Sequence, residues 1–201
     1  MFDASLRPLI DPPLNKVGLW LSKAGISANA VTVSGFLIGL AALPALYAQR
    51  YDIALLLLVV NRLADGLDGA IARHAGVSDF GGYLDIVLDF IFYSAFVFGF
   101  ALAQPEHALF AAFLILSFIG TGGSFLAYAI IAAKRGESTE AQGKKSFFYL
   151  GGLTEGAETI AAFVLMCLFP DWIREIVMIF GVMCWITTIS RIWMAKQAFG
   201  V

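Results

Sequence analysis

The chain has 201 residues, 60% of them hydrophobic and only 14% charged, with a formal net charge of −2 and a mean hydropathy of +0.83. Soluble domains average about 45–50% apolar and about 25% charged, so a water-soluble globule is excluded. Disorder is excluded by the same numbers, because disordered chains are poor in hydrophobic residues and rich in charge. What remains is an integral membrane protein.

The first segment, 5–24, mixes Leu6, Leu9, Leu14, Leu19 and Trp20 with Arg7, Lys16 and Lys23. It is expected to form an amphipathic helix along the inner leaflet, broken or started at Pro12-Pro13. A cytoplasmic tail carrying some hydrophobic residues is the alternative. No basic region leads into an early apolar run, so a signal peptide is not expected. Six stretches then approach the ~20 apolar residues a spanning helix needs: 29–49, 52–73, 80–104, 107–133, 146–169 and 172–195. Arg50-Tyr51-Asp52, Gln104-Pro105-Glu106-His107, the Lys134–Lys145 loop and Pro170-Asp171 separate them.

Loop charge sets the expected orientation. With the N-terminus inside, the cytoplasmic side holds Arg7, Lys16, Lys23, Arg73, Lys134, Arg135, Lys144, Lys145, Arg191 and Lys196, and the outer side only Arg50 and Arg174. The expectation is an all-α polytopic membrane protein. Six transmembrane helices follow an interfacial amphipathic helix, in one domain over 1–201 with both termini cytoplasmic. Cys167 and Cys184 sit in apolar stretches without metal-site spacing and read as small hydrophobes. Gly35-x-x-x-Gly39 and Gly120–Gly123 read as helix-packing faces. Trp20, Phe147, Phe148, Tyr149, Trp172 and Trp193 read as interfacial aromatics.

Spans two and three carry what a membrane should exclude: Asp65 and Asp68, then Asp85 and Asp89. A charge at a helix centre costs roughly 2.5–3.5 kcal/mol on the insertion scale. The i, i+3 and i, i+4 spacings put each pair on one helical face. At 1.5 Å per residue, Asp65 and Asp89 lie about 12–14 Å, and Asp68 and Asp85 about 8 Å, from the cytoplasmic ends of adjacent antiparallel helices. Carboxylates converging there need cations, and an all-oxygen set suits Mg2+ or Mn2+. Two such ions held by shared carboxylates serve phosphoryl chemistry. Gly66, Gly69, Gly81 and Gly82 leave room beside the acids for a bulky ligand, or else let helices approach closely. Arg73 is either an anchor for an anionic ligand or a positive-inside residue.

The string Asp65-x-x-Asp68-Gly69-x-x-Ala72-Arg73, followed by Gly81-x-x-x-Asp85-x-x-x-Asp89, resembles the signature of the CDP-alcohol phosphatidyltransferase family. Two features depart from it. The gap between Arg73 and Gly81 is seven residues rather than eight, and Ile86 and Phe90 stand where Ser and Arg are common. The resemblance implies attack of an acceptor hydroxyl on the β-phosphorus of a CDP-alcohol, with CDP-diacylglycerol the usual donor, releasing CMP in phospholipid biosynthesis. It implies Asp65, Asp68, Asp85 and Asp89 as ligands of two Mg2+ or Mn2+ ions, with Asp89 also the general base. Gly69, Ala72, Arg73 and Gly81 would line the nucleotide pocket. Ser27–Thr32 is similar to the polar motif opening the family's first span, which extends a nucleotide role to Asn29 and Thr32; a helix cap by Ser27 or Asn29 is the alternative. A homodimer in the bacterial inner membrane, with lipid and a small hydroxyl acceptor as partners and no nucleic acid, completes the implication.

The acceptor is less defined. Glu155 and Glu158 are expected about 13 Å inside span five, counted from Ser146, to bind a cationic or polyhydroxyl acceptor; pairing with Arg62 or Arg191 is the alternative. Lys134, Arg135, Lys144 and Lys145 suit an acceptor phosphate, or else positive-inside anchoring. The rival function is a small cation transporter or channel using the intramembrane acids. Against it, the outer halves of spans two and three are almost wholly apolar.

Overall fold

A computed structural model describes residues 3–136 and 152–200 of the chain. Among these residues the secondary structure is all helical, in eight α-helices: α1 (Asp3–Lys23), α2 (Ala28–Leu40), α3 (Ala42–Tyr47), α4 (Tyr51–Ala75), α5 (Asp79–Ala103), α6 (Ala108–Lys134), α7 (Gly156–Leu168) and α8 (Ile173–Phe199). Short 3-10 turns at Pro105–His107 and Pro170–Trp172 lead into α6 and α8. Among the described residues four helical units are long and apolar enough to cross a membrane: Ala28–Tyr47, Asp79–Ala103, Pro105–Lys134 and Pro170–Phe199.

Three expected boundaries move. The first span breaks at Ala41, because Pro44 has no N–H for the Leu40 carbonyl and its ring crowds that position. The described helix of the fifth segment starts at Gly156, not at Ser146, and has 13 residues, about 20 Å of rise. Its start is fixed by a capping box in which Glu155 and Glu158 serve each other's backbone ends. The first helix is not broken at Pro12-Pro13 but runs through Pro8, Pro12 and Pro13. Tertiary packing holds it, since Leu14 lies on Gly66 and Gly18 on Ala70 of α4.

The core is built on α5. Phe92, Phe96 and Phe100 recur every fourth residue, so they share one face, and all three are fully buried. Phe163 of α7 stacks on Phe96 with ring centroids 4.7 Å apart, joined in the core by Leu46, Leu58, Leu114 and Met166. The opposite faces expose Leu37, Leu56, Leu109, Ile119, Ile130 and Ile189. Such apolar exteriors belong in lipid, where helices satisfy their own backbone groups. Trp20, Trp172 and Trp193 are also exposed, and Cys167 and Cys184 are buried.

Helix arrangement creates the site. α2 and α3 pack on both α4 and α5, wedging the two acid-bearing helices apart. Gly35 permits the α2–α4 approach: a Cβ there would stand 2.6 Å from that of Ala64. At the far end Gln104 Nε2 donates to Tyr51 Oη at 3.0 Å and to the Pro170 carbonyl at 3.1 Å. Gln49, in the left-handed region at φ 56°, donates to the Ala103 carbonyl at 3.1 Å.

Candidate active site

Asp65, Asp68, Asp85 and Asp89 line one constricted pocket of about 10 Å³, walled by Thr32, Gly35, Asn61, Arg62 and Phe92. Both acid pairs, on α4 and on α5, face this one space. That space has the size of a single water or ion. It adjoins a cavity of about 450 Å³, and Thr32, Asp68 and Asp85 line both. Asn29, Gly69, Ala72, Arg73, Gly81 and Gly82 line the larger cavity, whose volume falls in the usual range for small-molecule sites, about 300–1,000 Å³.

Local sequence explains the cavity walls. Ser78 caps α5, its Oγ accepting from the Gly81 amide at 3.0 Å. A Cβ on Gly81 would stand 2.9 Å from that Oγ and 3.0 Å from Asn29 Oδ1, so only glycine leaves this corner open. Gly82 faces open space, whereas Gly66 packs under Leu14 and makes no room for ligand. Ser27 caps α2 by accepting from the Ala30 amide at 3.2 Å, and Thr32 Oγ1 donates to the Ala28 carbonyl at 3.0 Å. Arg73 reaches the cavity and is steadied from α1, donating through Nε and Nη2 to Asn15 Oδ1 at 3.1 and 2.9 Å.

Sequence reasoning offered Arg62 only as an alternative partner for Glu155 or Glu158 and missed that it engages the aspartates. Its Nη2 donates to Asp89 Oδ1 at 2.8 Å, and its Nη1 stands 3.5 Å from Asp65 Oδ2. Nε donates to Asn61 Oδ1 at 2.8 Å, and Nη1 to Tyr93 Oη at 3.2 Å. The Tyr93 hydroxyl donates in turn to Asp89 Oδ2 at 3.2 Å. The guanidinium also lies over the Phe92 and Tyr93 rings, 5.0 and 5.3 Å from their centroids. A lone arginine in an apolar span, three residues before an aspartate, was the available signal.

Among the described residues no group of three or more His, Cys, Asp or Glu side chains stands ready to hold a metal ion. Arg62 engages Asp65 and Asp89 instead. The donor set still fits a hard cation. Asp68 is buried, and its Oδ2 has no hydrogen-bond partner, a costly state for a carboxylate unless a cation faces it.

The expected acceptor residues divide. Glu155 and Glu158 sit at the N-terminus of α7, not mid-helix; Glu155 N donates to Glu158 Oε2 at 3.0 Å. Glu155 lines a second cavity of about 160 Å³ with Tyr93, Thr121, Thr154, Thr159 and Arg191. Arg191 is buried and donates to the Thr121 carbonyl at 2.9 Å. Arg135 is committed elsewhere, donating to the Ala198 carbonyl of α8 at 3.0 Å. Lys144 and Lys145, like Phe147, Phe148 and Tyr149, lie outside the described residues.

The chain is 51% identical over 194 residues to inner membrane protein YnjF of Escherichia coli, covering 96% of this chain and 94% of that one. It is 32% identical over 197 residues to an archaetidylinositol phosphate synthase of Pyrococcus horikoshii, covering 96% of each. A phosphatidylcholine synthase of Pseudomonas aeruginosa is 35% identical over 104 residues, 47% of this chain and 41% of that one. None of these supports a transporter. The sequence profile described as CDP-alcohol phosphatidyltransferase matches residues 26–193, and the chain, an integral membrane transferase of phospholipid biosynthesis, belongs to that family.

Proposed function

We propose that the enzyme transfers a substituted phosphate from CDP-diacylglycerol to the hydroxyl of a small polar acceptor, releasing CMP at the cytoplasmic face of the inner membrane. The observation that carries this reading is the shared wall of two cavities: Asp68 and Asp85 border both the carboxylate pocket and the larger cavity. The cytidine and pyrophosphate occupy the larger cavity, against the bare backbone of Gly69, Gly81 and Gly82. Asn29, Thr32, Ala72 and Arg73 complete the nucleotide pocket, with Arg73 supplying charge to a phosphate oxygen. Asp65, Asp68, Asp85 and Asp89 would hold two Mg2+ or Mn2+ ions, which would stabilise the charge that develops on the transferring phosphate.

Asp89 takes the acceptor hydroxyl's proton as the oxygen attacks the β-phosphorus; the bond from that phosphorus to the CMP oxygen breaks, and CMP leaves with the electron pair. The acceptor enters through the Glu155–Arg191 cavity, which reaches Tyr93 beside Asp89. Threonine hydroxyls and both signs of charge there suit a hydroxylated, ionic acceptor; Glu158 supports Glu155, and Lys144 and Lys145 complete acceptor capture. Support for such an acceptor comes also from the archaetidylinositol phosphate synthase relative. The chain acts as one domain over 1–201, with α1 on the inner leaflet, six membrane crossings, cytoplasmic termini and a homodimeric assembly.

The test is CMP release from CDP-diacylglycerol by the purified protein in mixed micelles, against a panel of polyol phosphates and amino alcohols. Acceptor-dependent CMP should appear with Mg2+ or Mn2+, vanish with EDTA and return on resupply. Unaltered turnover in chelator removes the metal assignment, and no CMP with any acceptor removes the donor.

A further inference from the structure

We propose that Arg62 is a resident counter-cation that holds Asp65 and Asp89 when no divalent ion is bound and competes with the second ion for them. Its role rests on the divalent-cation reading of this pocket given above. The four aspartates are not equivalent. Both oxygens of Asp89 are taken, Oδ1 by Arg62 Nη2 at 2.8 Å and Oδ2 by the Tyr93 hydroxyl at 3.2 Å. Asp65 faces the same guanidinium at 3.5 Å. Asp68 has a buried Oδ2 with no partner. One side of the pocket therefore has its counter-charge in place and the other lacks it.

The guanidinium has somewhere to stay if it gives up a carboxylate. Its Nε remains bonded to Asn61 Oδ1 at 2.8 Å, and Asn61 is anchored in turn by donating to the Gly35 carbonyl at 2.9 Å. The Phe92 and Tyr93 rings retain its plane. An ion meeting Asp68 faces no resident cation, whereas one recruiting Asp65 and Asp89 must displace the guanidinium from them. Binding should thus proceed in two unequal steps, the second coupled to release of Asp89. Asp89 would leave the guanidinium only once the site is filled.

The experiment is Mn2+ binding to the full chain in nanodiscs, followed by electron paramagnetic resonance and calorimetry, for the wild type, Arg62→Gln and Arg62→Lys. The wild type should show a tight and a weak class. Arg62→Gln should tighten the weak class at least tenfold, leave the tight class within a few-fold, and give a larger Mn2+-induced rise in Tm from a lower metal-free value. Arg62→Lys keeps the charge but loses the fork of donors; it should shift the same class in the same direction by less, and serves alone if Arg62→Gln does not fold. An unchanged or weakened Mn2+ isotherm in a folded variant overturns the competition and leaves Arg62 a structural support. Equal tightening of both classes also overturns it, since that is the mark of general charge removal. No Mn2+ binding by the wild type removes the cation site and the role of Arg62 with it.

Discussion

Replacing Asp68 and Asp89 by asparagine should move the stability of the metal-free protein in opposite directions. Asp68 is 6% exposed, and its Oδ2 finds no hydrogen bond. A buried polar atom without a partner costs about 1–3 kcal/mol, and more when charged. Asp68→Asn keeps the shape and removes the charge, so on the order of 1–2 kcal/mol should be recovered. Asp89 is the reverse case, because it accepts from both Arg62 and Tyr93. Breaking a fully buried pair from one side costs about 3–5 kcal/mol. The Asp89 side chain is 29% exposed and Arg62 16%, so partial hydration lowers the expected loss to about 2–3 kcal/mol. The two variants should therefore melt on the order of 10 °C apart, taking about 2–4 °C per kcal/mol for a chain of this size. Thermal unfolding in one detergent with chelator present, followed by tryptophan fluorescence, measures the gap. Turnover separates them further. Asp89→Asn should lose the ~10²–10⁴-fold typical of a missing general base while still binding CDP-alcohol, whereas Asp68→Asn should bind the nucleotide poorly. Asp68→Asn melting below the wild type, or Asp89→Asn at or above it, would refute the unequal charge balance drawn from the structure.

Two further outcomes follow from the cavity and the charge pattern. Gly81→Val should raise the KM for the CDP-alcohol at least tenfold with a smaller change in kcat, since any Cβ meets Ser78 Oγ at 2.9 Å and Asn29 Oδ1 at 3.0 Å; loss of the Ser78 cap adds about 1 kcal/mol of destabilisation. A wild-type KM would show that this corner does not hold donor. Cysteine at Ser138 should react with an impermeant thiol reagent only from the cytoplasmic side, and cysteine at Asp171 only from outside; native Cys167 and Cys184 are 6% and 1% exposed and contribute little background. The opposite labelling would invert the topology.

The sequence carried the acids and missed the cation between them, for a physical reason. The aspartates announce themselves through charge in apolar spans and through local periodicity, which is a property of one helix at a time. Arg62 has one local partner, Asp65, three positions on, but it also acts across helices, on Asp89 and Tyr93, 27 and 31 positions away, and local spacing does not report contacts at that distance. The same division explains the boundaries. Pro44 breaking the first span at Ala41, and Gly152, Gly156 and the Glu155–Glu158 box delaying α7, were visible local signals. A long apolar run overrode them in the sequence reading, because hydropathy counts residues and is blind to the backbone bonds those residues can make. The prolines of α1 err the other way: a strong local signal for a break is overridden by packing of Leu14 and Gly18 on α4. Packing decides the site as well. Matched depths on α4 and α5 put the acids at one level, but depth says nothing of how wide a space they face. The wedge of α2 and α3 keeps that space open, and Gly35 and Gly39, legible only as a packing motif, let the wedge sit deep enough for Asn61 to hold Arg62 in place. A small-residue face on the first span thus sets the separation of two carboxylate pairs on helices that follow it.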